Sequence, residues 1–348
     1  MHDNIKLTQF SSGAGWACKL GPEDLKEALS SIKKTFDTKK NVLGFESFDD
    51  CAIYELDNGK ILIQSLDFFT PIVDDPYVFG QIAAANSLSD IYAMGGNPLF
   101  ALNIAGFPSE NLPISILGEI FKGGQNIADN AQIPILGGHT IKDKEPKYGM
   151  AVTGEVDNKS LIKNNTSQPG DVLILTKPLG TGIISTGIKQ GLVDEKTSNE
   201  SINNMIHLND GAKIAMNNSK VNSCTDITGY GLLGHLLEMC LGSNVTAEVY
   251  YNNIPFINNT EKLAKDNIIP GGSRKNLNYV NSRTNFSNSI LDYQKLMIAD
   301  AQTSGGLLIS VPEKYSKNLI TNLKSQNCLT TAIVGIIARK KNQSIYVV

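Results

Sequence analysis

Cysteine is scarce and scattered in this chain: Cys18, Cys51, Cys224, Cys240 and Cys328 are the five among 348 residues. None forms a CxxC pair or a zinc-ligand spacing, which argues against a disulfide framework and for a reducing, cytoplasmic setting. Charge of either sign is not in excess. Lys and Arg total 31 against 34 Asp and Glu, a net charge of −3, so nothing favours nucleic acid or an anionic membrane surface. No apolar run approaches the about 18 residues that span a bilayer, and the opening MHDNIKLTQF lacks the basic and apolar regions of a signal peptide. Also missing are GxxxxGK[ST], a GxGxxG after a first strand, and the protein-kinase signature set. A protein of this composition that handles ATP does so without a common nucleotide fold.

Hydrophobic residues make up 41% and charged residues 19%, and the length suits two domains with separate cores. The segment PEDLKEALSSIKKTF at 22–36 reads as an amphipathic helix with proline in its first turn. CAIYEL and KILIQSL, separated by Asp57-Asn58-Gly59, form a hairpin signal. A long alanine-rich helix is expected at 78–94, closed by Gly95-Gly96, with a strand at 99–106, a helix at 114–131, a short strand at 133–136 and another strand at 148–156. Residues 157–170 are polar and turn-rich and read as a linker. The second half restarts with the strand VLILTK and a Gly180/Gly182 turn into a helix through Lys189. Further helices are expected at 199–218, 230–241 and 313–326, and strands near 245–250, 306–311 and 332–338. The expected fold is α+β in two domains: a glycine-rich arm over 1–20, an N-terminal domain over 21–157 and a C-terminal domain over 158–348.

Aspartates recur where elements change. Asp49 and Asp50 precede CAIYEL and Asp67 follows KILIQSL, so a hairpin would put all three at one end. Asp90 lies one turn after Asn86 on the same helix face, and Asp226 precedes a further helix. Such carboxylates, gathered in space, need cations and imply Mg²⁺. Singly, Asp49 and Asp226 read more readily as turn or N-cap residues, and Asp90 as satisfying backbone amides at the Gly95-Gly96 turn; their joint fit to one metal-nucleotide site is what favours function. Glycine pairs at Gly137-Gly138, Gly95-Gly96 and Gly271-Gly272 read either as tight turns or as places where backbone N–H groups approach phosphate. His139 could contact a nucleotide or cap its strand. His235 reads as a helix-packing residue, and Cys51, Cys240 and Cys328 as inert thiols in apolar surroundings. Near the N-terminus, Ser12-Gly13-Ala14-Gly15-Trp16-Ala17-Cys18-Lys19 sets a thiol and an ammonium in a flexible run that also holds the single tryptophan.

In their order along the chain, LTQFSSGAG, Cys18-Lys19, DDCAIY, LDFFTPIVDDPYVFGQIAAANSLSDIYAMGG, LGGHTI, LTKPLGTG, TDITGYGLLGHLLEM, IPGG and DAQTSGGLL resemble the selenophosphate synthetase family, within the aminoimidazole ribonucleotide synthetase-like ATP enzymes. The resemblance implies a two-domain fold, with N-terminal strands contributing to a dimer β-barrel and ATP in a long cleft. It implies that selenide, ATP and water give selenophosphate, phosphate and AMP. It maps Mg²⁺ onto Asp50, Asp90 and Asp226, and ATP contacts onto Lys19, Ser47, Phe48, Asp49, Asp67, Asp90, Gly138, His139 and Thr140. Trp16, Cys18 and Lys19 fall on the reactive arm. A homodimer is implied, with selenium supplied free or by a carrier protein.

One position departs from the family pattern, Gly-x-Gly-(Cys or selenocysteine)-x-Cys-Lys. Trp16 stands at the reactive place, and an indole N–H is a donor with no nucleophilic lone pair. Three readings follow: position 16 is natively selenocysteine encoded by UGA, a codon some genetic codes read as tryptophan; Cys18 has taken over the role; or the chain is a degenerate paralogue that binds ATP and Mg²⁺ for a regulatory or partner task. A ring-forming synthetase of the purine pathway is disfavoured by the Cys18-Lys19 loop.

Overall fold

The computed structural model describes residues 5–11, 27–29, 42–43 and 49–348. The expected helix at 22–36 falls almost wholly outside them. The described part of the first half is a six-stranded sheet carrying two helices on one face. In chain order its elements are β1 (Val42–Leu43), β2 (Ala52–Glu55), β3 (Ile61–Phe69), α1 (Pro76–Ala93), β4 (Asn97–Phe107), α2 (Ile114–Asn130), β5 (Ile135–Lys142) and β6 (Lys147–Val156). The spatial order is β1-β2-β3-β6-β4-β5, antiparallel throughout except for the β4–β5 pair.

Helix α1 starts cleanly because Asp75 accepts the Val78 N–H at 2.9 Å and Pro76 takes the first turn. It ends at Gly95, whose φ of +75° suits a residue without a β-carbon. Alanines, serines and glycine let it sink into the core, with Ala83, Ala84, Leu88 and Ile91 fully buried. Gly80 and Gly123 set its crossing with α2: an added β-carbon would lie 2.0 Å from the Ile120 carbonyl oxygen or 1.9 Å from that of Tyr77.

Strand β3 alternates. Ile61 and Ile63 face the helices and are buried, whereas Leu66 and Phe68 face outward, 54% and 45% exposed. Pairing extends that outward face to Tyr54 beside Leu62, Leu102 beside Ala151, and Ile104 beside His139. Among the described residues, no element covers this apolar face.

The second sheet has seven strands in the order β10-β13-β9-β12-β7-β11-β8. Its elements run β7 (Asp171–Leu175), α3 (Thr181–Lys189), α4 (Glu195–Ile206), α5 (Asp210–Asn217), β8 (Ser223–Asp226), α6 (Gly231–Ser243), β9 (Val245–Val249), α7 (Thr260–Lys265), α8 (Gly271–Asn281), β10 (Thr284–Phe286), α9 (Asp292–Ile298), β11 (Leu307–Pro312), α10 (Glu313–Ser325), β12 (Ala332–Arg339) and β13 (Ile345–Val347). The exposed N–H groups at the start of α3 meet a buried carboxylate. Asp300 accepts from Gly182 and Ile183 N–H at 3.1 Å each, from the Ser273 hydroxyl at 2.7 Å and from Gln302 Nε2 at 2.9 Å. Burial nevertheless pushes its pKa up to about 7.

Three expectations need correction. The single helix expected at 199–218 is two, α4 and α5, broken at His207–Asn209. Tertiary bonds claim the break: Lys177 Nζ donates to the His207 carbonyl at 2.6 Å, and Asn209 Nδ2 donates to Ser89 Oγ and the Gly305 carbonyl, both at 2.9 Å. Gly271 and Gly272 begin α8 rather than form a tight turn, and Gly137 and Gly138 lie inside β5 rather than in a turn. Segment 157–170 is turn-rich, as expected of a connection, and carries Ile162, Asn164 and Ser167 as buried residues. No helix among the described residues is long and apolar enough to cross a membrane.

The close helix crossing gives a test. Gly123→Ala should cost about 1–3 kcal/mol by overpacking and lower the thermal midpoint by several degrees; an unchanged midpoint in a calorimetric scan would show that α1 and α2 can separate freely.

Candidate active site where the two sheets meet

The inner face of β3 changes from apolar to polar along its length: Ile61 and Ile63 are followed by Ser65 and Asp67. Above them α1 presents Asn86 and Asp90, one helical turn apart. Asn86 Nδ2 donates to Asp67 Oδ2 at 2.8 Å, and the Ser65 hydroxyl donates to Asp90 Oδ2. Asp50 sits where the chain enters β2. Asp226 is the last residue of β8, on the edge of the second sheet. Carboxylate oxygens of Asp50, Asp90 and Asp226 lie within 4.8 Å of one another. The two sheets are stitched at this point by Thr225 Oγ1, which donates to Asp50 Oδ1 at 2.7 Å. Beside it, Asp49 Oδ1 accepts the backbone N–H groups of Asn164 and Asp50, each at 3.2 Å.

This geometry is electrostatically unfavourable by itself. Burial, and then the charges of Asp226, Asp49 and Asp90, push the Asp50 carboxyl well above the usual carboxylate range. Burial raises Asp49 to about 6, against the opposing pull of the Asn164 and Asp50 N–H groups and of Lys163. The Oδ2 atoms of Asp49 and Asp50 are buried and have no hydrogen-bond partner among the described residues. An all-oxygen donor set with orphaned buried oxygens fits a hard divalent cation such as Mg²⁺. Cys51 and Cys224 border the cluster; burial and the carboxylates hold both thiols well above their ordinary range, so neither is a ready nucleophile. Cys51 is an inert thiol of the first hydrophobic core, as expected, with the carboxylates close beside it.

The other predicted residues divide. Asp67 joins the group through Asn86. Gly138, His139 and Thr140 do not: they lie on β5, three strands across the sheet from β3, or roughly 14 Å at ordinary strand spacing. The row Phe68–Gly149–Ile104–His139 also puts His139 on the face away from Asp67. Trp16, Cys18, Lys19, Ser47 and Phe48 lie outside the described residues. The chain leading to the arm is anchored: the Thr8 N–H donates to Asp74 Oδ1 at 3.1 Å, and Lys189 Nζ donates to the Ser11 carbonyl at 2.9 Å.

Ser65, Thr225 and Asn164 escaped the sequence reading. Ser65 had a signal, a hydroxyl interrupting the apolar inner face of KILIQSL. Thr225 is marked only by its neighbour Asp226, and Asn164 by nothing.

Residues 48–156 match the family model of the N-terminal domain of AIR synthase related proteins, and residues 168–348 that of the C-terminal domain. Solved structures share the fold: a Thermus thermophilus protein superposes with a TM-score of 0.70 at 17% identity, over 94% of this chain and 97% of that one. Thiamine monophosphate kinase from Aquifex aeolicus gives 0.62 at 15% identity, over 93% and 94%. The fold and the interdomain carboxylates therefore define an AIR synthase-related protein of two α+β domains. Within that class the chain belongs to the selenide, water dikinase family. It is 48% identical to selenide, water dikinase 2 of Peptoclostridium acidaminophilum, over 99% of this chain and 98% of that protein. It is 44% identical to selenide, water dikinase of Clostridioides difficile (strain 630), over 98% of each.

The carboxylate trio predicts its own metal response. Asp226→Asn should raise the thermal midpoint of the metal-free protein by relieving repulsion, while removing the stabilisation that Mg²⁺ gives the parent, about 2.7 kcal/mol at 100 times its Kd. Equal Mg²⁺-induced shifts in both proteins, read by differential scanning fluorimetry, would rule the trio out as the ion's site.

Proposed function

We propose that this chain makes selenophosphate from selenide, ATP and water, releasing AMP and phosphate. The observation that carries this reading is the near-full-length similarity to proteins named selenide, water dikinase, together with a carboxylate trio drawn from both domains. Asp50, Asp90 and Asp226 would hold Mg²⁺, which when bound neutralises polyphosphate charge. Lys19, Ser47, Phe48, Asp49, Asp67 and Asp90 contact the nucleotide, and the Lys19 ammonium adds a cation to the phosphates.

Selenide attacks the γ-phosphorus, forming the Se–P bond as the β–γ bridging oxygen leaves with its electron pair on ADP. Water then attacks the β-phosphorus of the retained ADP, expelling AMP and giving phosphate. The chain's task in both steps is positioning and charge placement, since phosphoryl transfer needs little covalent help. Cys18 supports the selenium-handling arm at whose centre Trp16 stands.

The uncovered apolar face of the first sheet is assigned to a second copy of the chain. Leu66, Phe68, Tyr54, Leu102 and Ile141 form a patch of the kind that marks an association surface. Gly138, His139 and Thr140, remote from the carboxylates within one chain, then serve the nucleotide of the other copy. Cys51, Cys224, Cys240 and Cys328 are all free thiols, in keeping with a reducing cytoplasm. Selenium supply, free or from a carrier protein, belongs to the same reading.

Trp16 supports a second reading, an ATP-binding paralogue without selenide chemistry, and one assay separates the two. AMP formation from ATP is measured with and without selenide in the parent, Trp16→Cys and Lys19→Ala. Trp16→Cys should form AMP at least tenfold faster than the parent only when selenide is present, and Lys19→Ala should form none. Failure of Trp16→Cys to recover activity would favour the paralogue. Separately, Phe68→Glu should convert a dimer into a monomer in sedimentation velocity; a dimer that persists would refute the assigned face.

A further inference from the structure

Lys177 is 1% exposed, an unusual place for a lysine, and no carboxylate among the described residues lies within ion-pair distance of it. Its amine instead holds two backbone carbonyls, that of His207 at 2.6 Å and that of Ser304 at 2.8 Å. Burial lowers its pKa to about 7, opposed by Asp226, Cys328 and Asp210.

Ser304 is held in an uncommon conformation. Its φ is +48°, in the left-handed region, within the turn Thr303–Gly306. The same peptide turn looks both ways: the carbonyl of Ser304 accepts from Lys177, and its N–H donates to Asn86 Oδ1 at 2.9 Å. The Ser304 N–H and the Asp67 carboxylate hold the Asn86 amide from its two ends. With Oδ1 bound to Ser304, Nδ2 faces the Asp67 carboxylate and donates to it at 2.8 Å. Without the Ser304 N–H, one of the bonds that fix this side chain is gone. Asn86 is fully buried in α1, so water cannot substitute for the lost donor.

We propose that Lys177 is a positioning residue for nucleotide binding: through the Ser304 peptide and the Asn86 amide, it fixes the Asp67 carboxylate across the boundary between the two sheets. The inference rests on the proposed reading of Asp67 as a nucleotide contact. It assigns a role to LTKPLGTG and DAQTSGGLL, two runs that lie in the second half of the chain and hold none of the aspartates of the site. They meet at Lys177 and Ser304, behind the site.

The test is a double-variant cycle on affinity for Mg²⁺ with a non-hydrolysable ATP analogue, by titration calorimetry on the full chain. Lys177→Met and Asn86→Ala should each weaken binding at least fivefold, and the double variant should bind no more weakly than the worse single one. A purely structural lysine would instead lower the melting temperature and leave affinity intact in the folded fraction. Lys177→Met leaves two carbonyls unpaired and can fail to fold; Asn86→Ala, which keeps the lysine, then decides alone, and unchanged affinity there overturns the proposal. So does full additivity in the double variant. Selenide-dependent AMP formation is a separate measurement: its absence in Trp16→Cys counts against the proposed reaction, while the affinity cycle still judges Lys177.

Discussion

Mutual repulsion among Asp50, Asp90 and Asp226 is the constraint around which the rest of the structure is arranged. Two like charges 4 Å apart cost on the order of 4 kcal/mol at an effective dielectric of 20, and here three oxygens lie within 4.8 Å of one another, two on half-buried residues and one on a buried residue. Two carboxylates come from the first sheet and its helix, the third from an edge strand of the second. The domains meet over a cluster of like charge, so something other than that cluster must hold them together.

Apolar packing across the boundary does this, with Met205 buried in the core of the first sheet and Ala93 in that of the second, and neutral polar side chains add to it. Asn209 reaches Ser89 and Gly305, Asn86 accepts from Ser304, and Thr225 donates to Asp50. Amides suit this work because each carries a donor and an acceptor end, and so links one domain to the other without adding charge. The turn they grip, Gly305-Gly306, packs tightly within its own domain: a β-carbon on Gly305 would lie 2.0 Å from the Ile227 carbonyl oxygen, one residue past Asp226.

Local signals foretold much of this. The periodicity of the alanine-rich segment set α1 and put Asn86 and Asp90 on one face, and the hairpin signal placed Asp50 and Asp67 at the same end. Asp226 was legible as an acid at an element boundary. The failures have one cause. The break between α4 and α5 is decided by partners distant in the chain, as is the burial of Lys177, for which the sequence carries no signal. Nothing in the helix-permissive run around His207 announces that a lysine thirty residues earlier will take its carbonyl. The β5 glycines misled for a related reason, since a glycine pair advertises backbone freedom without saying whether a turn or a strand will use it.

Strand β3 carries a further consequence. Asp67 and Phe68 are adjacent, yet one faces the carboxylate site and the other the open apolar face. A shift of one residue in the pairing of β3 with β6 would exchange them, putting a phenyl ring among the acids and a carboxylate on the outer surface. The carboxylate cluster and the apolar face are thus written on alternate letters of the same word. Single substitutions can edit either one, but an insertion or deletion within β3 would scramble both at once, so length in this strand is far less free to drift than composition.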